Sequence, residues 1–496
     1  MKKLTFIFLA ALTLLVLAGC GRNSKGTSAA AALDSDFFNQ KIEGEITIAA
    51  YDTMIYRSYL EEAARAFELK YQGTKVTIDT FSAMPEVRSM EQANMRATMV
   101  QGQDDPQGRA DYLSRVNTNL MSGTGADIYA IDVLPVHKFS KNGTLENLDR
   151  YMQNDPLFNK SEYRGNIIDA LRYNNGTWFL PMDYAFNYFA YDATLVPAQI
   201  AAGFGADQSY STEELLNLGM PIYTGTYRLF NAMDYVRGPG GMFNQLLAER
   251  LQSFINLETE RAAFSDGRFA SLLGSVRSYA EQGYIPRSVT GLQTAGMARQ
   301  QGMSAPTDRF FFKQNSNVSL MSQYTRGMGM MMRMMSSGTA SGIETDDEIA
   351  GIAANSDGSV PFKYNQGFGI NSQSKNKAAA WAFIKFLLSK EMQLSTNLVA
   401  TGLPLNNEAR QEKAELTFSG AGIGGSSRMN DQMRAALEAY KTAVEVLSDQ
   451  INCFNVQDTS LNDMIAQEVQ YFFNGSRTAD EVAKVLQNKA DLYLSE

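Results

Sequence analysis

The sequence predicts an α/β protein, and three stretches carry that prediction. Ile46-Thr47-Ile48-Ala49-Ala50 is a short apolar run of the kind a buried strand needs. Tyr56 to Tyr71 then sets Tyr59, Leu60, Ala63, Ala64, Phe67 and Tyr71 at helical spacing, with Glu61, Glu62, Arg65 and Lys70 off that face. Gly73 ends the helix, and Lys75-Val76-Thr77-Ile78-Asp79 restarts as a strand. Strand, helix, strand in that order is the building unit of a parallel sheet. A turn at Gly123-Thr124-Gly125 followed by Ala126 to Asp132 supplies a third strand.

The chain ahead of this sheet has another purpose. Met1-Lys2-Lys3 is positive, Leu4 to Val16 is an apolar run interrupted by threonines, and Leu17-Ala18-Gly19-Cys20 closes it. That order is a secretory signal, too short to remain as a membrane span. Its last four residues match a lipobox, with cleavage before Cys20 and acylation of the thiol. Two acyl chains give a stable anchor, at about 0.8 kcal/mol per buried methylene. Residues 1–19 are therefore expected to be a lipoprotein signal peptide. Residues 20–43, rich in Ser, Ala and Gly, form a flexible tether. The protein is placed on the extracytoplasmic face of a bacterial membrane, held through Cys20.

Composition limits the function classes. With 44% hydrophobic and 20% charged residues, the chain beyond the signal is an ordinary globular protein long enough for two domains. A net charge of −9, more negative still without Lys2 and Lys3, argues against a nucleic-acid surface. Of the two cysteines Cys20 is committed, so Cys453 has no intramolecular mate and is expected to be small apolar filler.

Later elements follow the same rules. Residues 86–122 are mostly helical around a polar break at Gln101 to Gly108, and Val136 to Asn142 makes a short helix. Trp178 to Asp192 is extended and aromatic, punctuated by Pro181. Helices divided by Gly-containing turns fill Ala193 to Ser304, and Asn315 to Tyr324 returns to a strand. The methionines of Met328 to Met335 are expected to fill irregular core. Asn376 to Asn397 is a helix with Trp381 on its buried side, and Thr478-Ala479-Asp480-Glu481 is a capping box opening the last helix.

Several of these pieces together resemble the extracellular solute-binding proteins of ABC importers, in the carbohydrate-type branch known as family 1. They are the lipobox, the Ile46–Phe67 strand and helix, Ala126 to Asp132, and Lys141-Asn142-Gly143-Thr144-Leu145-Glu146-Asn147-Leu148. Leu180 to Tyr184, Asn187 to Asp192, Ala380 to Leu388 and Gly402-Leu403-Pro404-Leu405-Asn406 complete the set. Their order and spacing cover most of residues 44–410; the tail from Ala414 departs from the family's usual end. The resemblance implies a two-lobe periplasmic-binding-protein-like fold with a hinge and an interlobe ligand cleft. It divides the chain into an N-terminal lobe of residues 44–186 and 318–366 and a C-terminal lobe of 187–317 and 367–496. Changes of lobe are expected near Tyr184–Tyr191, Asn317–Tyr324 and Asn365–Ile370. It also implies capture of an extracellular carbohydrate, an oligosaccharide, by a monomer that hands it to membrane permease subunits, with no cofactor and no chemistry on the solute.

Gripping a sugar takes flat apolar faces and a few fixed hydrogen-bonding groups. Ligands of open α/β sheets sit beyond the carboxyl ends of the strands. Asp52, Asp132 and Asp183 are the expected carboxylate acceptors. Tyr51, Trp178, Tyr184, Phe186 and Tyr324 are the expected stacking faces, with Met54 and Asn187 behind them. A core or interlobe position is the competing reading for each. A solitary His137, expected on the surface, excludes a multi-histidine metal site. No phosphate-cradling loop or nucleophile elbow is present, and Gly420 to Gly425, though spaced like a dinucleotide loop, follows no strand. Two rivals remain: a receptor for a peptide or polyamine, and a secreted glycosidase working with paired carboxylates.

Overall fold

The computed structural model describes residues 33, 35–51, 57–81, 106–231, 239–285, 309–324, 347–395, 402–419, 431–456 and 458–495. Cys20, Asp52, Met54, the Met328–Met335 cluster and Gly420–Gly425 lie outside them.

Two five-stranded sheets organise these residues. The first takes the order β2-β1-β3-β14-β4, from β1 (Gly44–Tyr51), β2 (Thr74–Phe81), β3 (Ile128–Ala130), β4 (Leu180–Pro181) and β14 (Gly367–Ile370). β1 runs parallel to β2 and β3, as the strand–helix–strand reading requires, while β14 runs antiparallel to β3 and β4. The second sheet has the order β7-β12-β6-β11-β8, from β6 (Asn187–Asp192), β7 (Ser209–Tyr210), β8 (Arg228–Asn231), β11 (Phe310–Ser316) and β12 (Asp347–Ala353). Smaller pairs complete the set. β5 (Asp183–Tyr184) joins β15 (Leu403–Pro404), β9 (Ile255–Asn256) joins β10 (Arg261–Ala262), and β13 (Pro361–Phe362) joins β16 (Cys453–Phe454).

Each sheet carries its own hydrophobic core. Around the first pack helices α1 (Arg57–Lys70), α2 (Pro106–Ser122) and α3 (Val136–Lys141). The second core is covered by α4 (Pro239–Ala248) and α5 (Arg268–Glu281). The chain then returns to the first core with α6 (Asn317–Tyr324), α7 (Lys377–Leu387), α8 (Asn407–Ser419) and α9 (Asp431–Asp449), and to the second with α10 (Thr459–Phe473) and α11 (Ala479–Ser495). On α1, Tyr59, Leu60, Ala63, Ala64 and Phe67 are all buried, the face its sequence marks out. Trp381 of α7 is buried and donates its indole N–H to Asp155 at 2.7 Å. The Thr478–Glu481 capping box is present, with the Glu481 amide donating to Thr478 Oγ1 at 3.3 Å.

Five expectations need correction. The division at residues 318–366 and 367–496 does not follow the sheets: β12 hydrogen-bonds to β6 in the second sheet, and β14 with α7 builds the first. The tail is likewise shared, α9 packing on the first core and α10 and α11 on the second. Residues 317–324 are a helix rather than a strand, because the second-sheet strand ends at Ser316 and Leu320 and Tyr324, one helical turn apart, turn toward the first core. The predicted 376–397 helix is broken at Ser389, whose side chain caps a new short helix by accepting from the Met392 amide. His137 is buried at 4% exposure, while Cys453 is only half-buried.

Candidate functional site

The two cores are tied together by extended segments lying side by side. β4, β5 and β6 carry the chain from the first sheet to the second. Residues 354–366 carry it back alongside them, antiparallel, with Met182 donating to the Gln366 carbonyl at 2.9 Å. Ala185 and Lys363 exchange both backbone hydrogen bonds at 2.7 Å. A further passage, from β11 into α6, is pinned where the Asn317 amide donates to the Phe186 carbonyl at 3.0 Å. Short extended crossings of this kind let two rigid bodies rotate by small changes at few residues.

Asp183 sits inside this joint. Its carboxylate is buried and accepts the Asn365 amide at 2.9 Å, the Gly402 amide at 3.1 Å and the Asn365 side-chain amide. Burial pushes its carboxyl up, and those donors oppose the shift. Gly402 is required here, since a Cβ would stand 2.4 Å from Asp183 Oδ2. Tyr184 is fully buried with its hydroxyl 3.3 Å from Ser448 Oγ, and Phe186 is buried in the first core. These residues hold the joint together and offer no face to a solute, because their polar atoms are engaged and their rings enclosed.

Asp132 is different. It follows β3, at the carboxyl end of the parallel strands, and its Oδ1 is buried with no hydrogen-bond donor among the described residues. The residue keeps part of its surface accessible although protein surrounds it, and burial raises its carboxyl from 3.8 to about 7. The phenols of Tyr112 on α2 and Tyr364 in the returning crossing both feel its charge, and burial pushes both upward. Beside it an aromatic patch is assembled from strand ends and α2. Tyr51 and Phe81, register partners at the ends of β1 and β2, are stacked at 6.3 Å. Tyr112 closes against them at 5.7 and 5.8 Å. Lys363 opens to solvent from the same joint, though the protein around it depresses its ammonium.

Of the residues expected from sequence, Tyr51 and Asp132 are thus brought together through Tyr112. Trp178 is half-buried with its indole N–H donated to the Tyr173 carbonyl at 2.7 Å, and Tyr324 sits edge-on to Tyr440 at 6.2 Å. Neither joins the Asp132 group. Phe81, Tyr112, Lys363 and Tyr364 were missed. Phe81 was findable, since it ends the strand parallel to β1 as Tyr51 ends β1 itself.

A second set of contacts joins the cores away from the crossings. Arg109 of α2 pairs with Asp463 of α10 at 2.7 Å, and Lys141 of α3 with Glu260 at 2.5 Å. His137 Nε2 lies 3.4 Å from Asp458, which also accepts the Tyr493 hydroxyl at 2.7 Å.

Residues 307–394, spanning β11, α6, β12, β14 and α7, match the family described as bacterial extracellular solute-binding protein. That stretch is where the sequence likeness lies, and solved structures share the fold over most of the chain. A sugar-binding protein MalE from Xanthomonas citri is similar over 91% of this chain and 98% of its own, at 14% identity and a TM-score of 0.54. A family 1 extracellular solute-binding protein from Alicyclobacillus acidocaldarius gives 92% and 100% coverage, 15% identity and 0.53. An ABC substrate-binding protein from Listeria monocytogenes, in complex with cycloalternan, gives 91% and 99%, 14% and 0.51. No curated protein sequence matches the chain. The fold is the two-lobe, periplasmic-binding-protein-like α/β fold expected from the sequence.

Proposed function

We propose that this protein is the solute receptor of an ABC importer, and that it captures an extracellular carbohydrate between its two cores and delivers it to a permease. The observation that carries the reading is the Asp132 group. It sets an acid whose Oδ1 has no donor among the described residues near the Tyr51–Phe81–Tyr112 aromatic patch at the carboxyl ends of the first sheet, beside crossings suited to hinge motion. Aromatic rings offer a face to the C–H surface of a sugar, and a carboxyl group accepts or donates to its hydroxyls according to its protonation. The similar sugar-binding protein from Xanthomonas, and the Listeria protein in complex with cycloalternan, support the same class.

The protein works outside the cytoplasmic membrane, anchored by acylation of Cys20, and no bond of the solute is made or broken. No described helix is long and apolar enough to cross a membrane. A thermal-shift screen against oligosaccharides, peptides, polyamines and amino acids tests the reading. A ligand at 100 times its Kd stabilises the folded state by about 2.7 kcal/mol. A saccharide that stabilises and is recovered intact is the expected outcome. A polyamine or peptide hit overturns the carbohydrate, and hydrolysed saccharide overturns the receptor. Replacing Cys20 with Ser is expected to move the protein from the membrane fraction to the soluble one.

A further inference from the structure

Against β15 lies a cavity of about 240 Å³ whose lining includes none of the Asp132 group. It is formed where α8 and α9 pack beside β15, next to the start of α6. Leu403, Pro404, Ala414, Tyr440 and Val444 give it apolar walls. The surrounding charges are largely matched: Arg410 holds Glu445 at 2.9 Å, Lys441 holds Glu415 at 2.8 Å, and Asp183 behind the wall is satisfied by amides. Lys413 is the exception, for its Nζ is buried and has no acceptor among the described residues. Burial lowers the affinity of that amine for its proton, and the more distant Asp183 works the other way.

We propose that this cavity is a second binding site, for a small monocarboxylate with an apolar body, and that Lys413 recognises the carboxylate. A buried ammonium without a partner is costly, and a charge-assisted hydrogen bond to an incoming carboxylate removes that cost. Asn317, Gln411 and Thr417 add neutral polar groups to the lining, so Lys413 is its one unmatched charge among the described residues and calls for one anionic group on an apolar frame. A free sugar needs several polar partners, and a phosphate would leave most of its oxygens unmatched. The site is independent of what the Asp132 group holds. Its floor is β15, paired to β5, so an occupant rests against a strand of the crossing itself.

The test uses the full-length chain in detergent, titrated calorimetrically with 4-phenylbutyrate and with its neutral amide. The acid is expected to bind about tenfold or more tighter than the amide. Lys413→Met is expected to abolish that preference, and Lys413→Gln to do the same while keeping a polar side chain. Lys413→Met is also expected to melt no lower than the wild type, because it removes a buried charge that the protein leaves unpaired. Equal binding of acid and amide, no binding of either at millimolar concentration, or an acid preference that survives both substitutions would each overturn the proposal.

Discussion

Asp132 and Asp183 start from the same expectation, an aspartate following a strand of the first sheet, and the fold puts them to opposite uses. Asp183 lies where the chain crosses between sheets, and both of its oxygens are engaged by amides of neighbouring segments. Asp132 lies where a strand simply ends, and no donor among the described residues reaches its Oδ1. Both carboxyls are pushed up by burial, so burial alone does not separate structure from site. Saturation does. A carboxylate whose partners are all supplied by the fold holds the fold, and one whose partners are missing is poised to take them from a solute.

The comparison is broken most severely at Asp183. Asp183→Ala leaves the Asn365 and Gly402 amides buried without an acceptor, each costing roughly 1–3 kcal/mol. Chemical denaturation is expected to show a loss of several kcal/mol, and a variant of wild-type stability would refute the role assigned to Asp183. Asp132→Asn is expected to do the reverse, keeping or raising stability while weakening binding of the screened saccharide about tenfold or more, as read by calorimetry.

A smaller effect separates the two through pH. The Asp132 carboxyl rises on folding from 3.8 to about 7, so the folded chain holds a proton that the unfolded chain has lost. Its contribution to stability is full below about 3.8, declines as pH rises toward about 7, and is constant above. The stability difference between wild type and Asp132→Asn is expected to change across that window and nowhere else. Smallest is the contact between the cores remote from the crossings. Arg109→Ala removes a partly exposed ion pair with Asp463, worth about 1 kcal/mol or less, and is expected to change saccharide affinity only a few-fold.

What the sequence made legible follows from how each signal works. The parallel β1–β2–β3 arrangement, the buried face of α1 and the capping box at Thr478 were readable because each depends on residues close in the chain. The Asp183 clamp was not, because its donors come from Asn365 and Gly402, and nothing in Leu180-Pro181-Met182-Asp183 announces them. The exchange of β12 and β14 between sheets was hidden for the same reason: both are short apolar runs, and only pairing with β6 or β3 says which sheet each joins. His137 was misplaced at the surface because its burial comes from Asp458 and the end of α11, more than half the chain away.

The central claim is that the two cores close on a saccharide held at Asp132. Small-angle scattering of wild type and Asp132→Asn, with and without the saccharide identified by thermal shift, tests it most directly. A decrease in radius of gyration on adding saccharide to the wild type, absent from the variant at the same concentration, is the predicted result. A saccharide that binds without compaction, or compacts the variant equally well, would contradict the account.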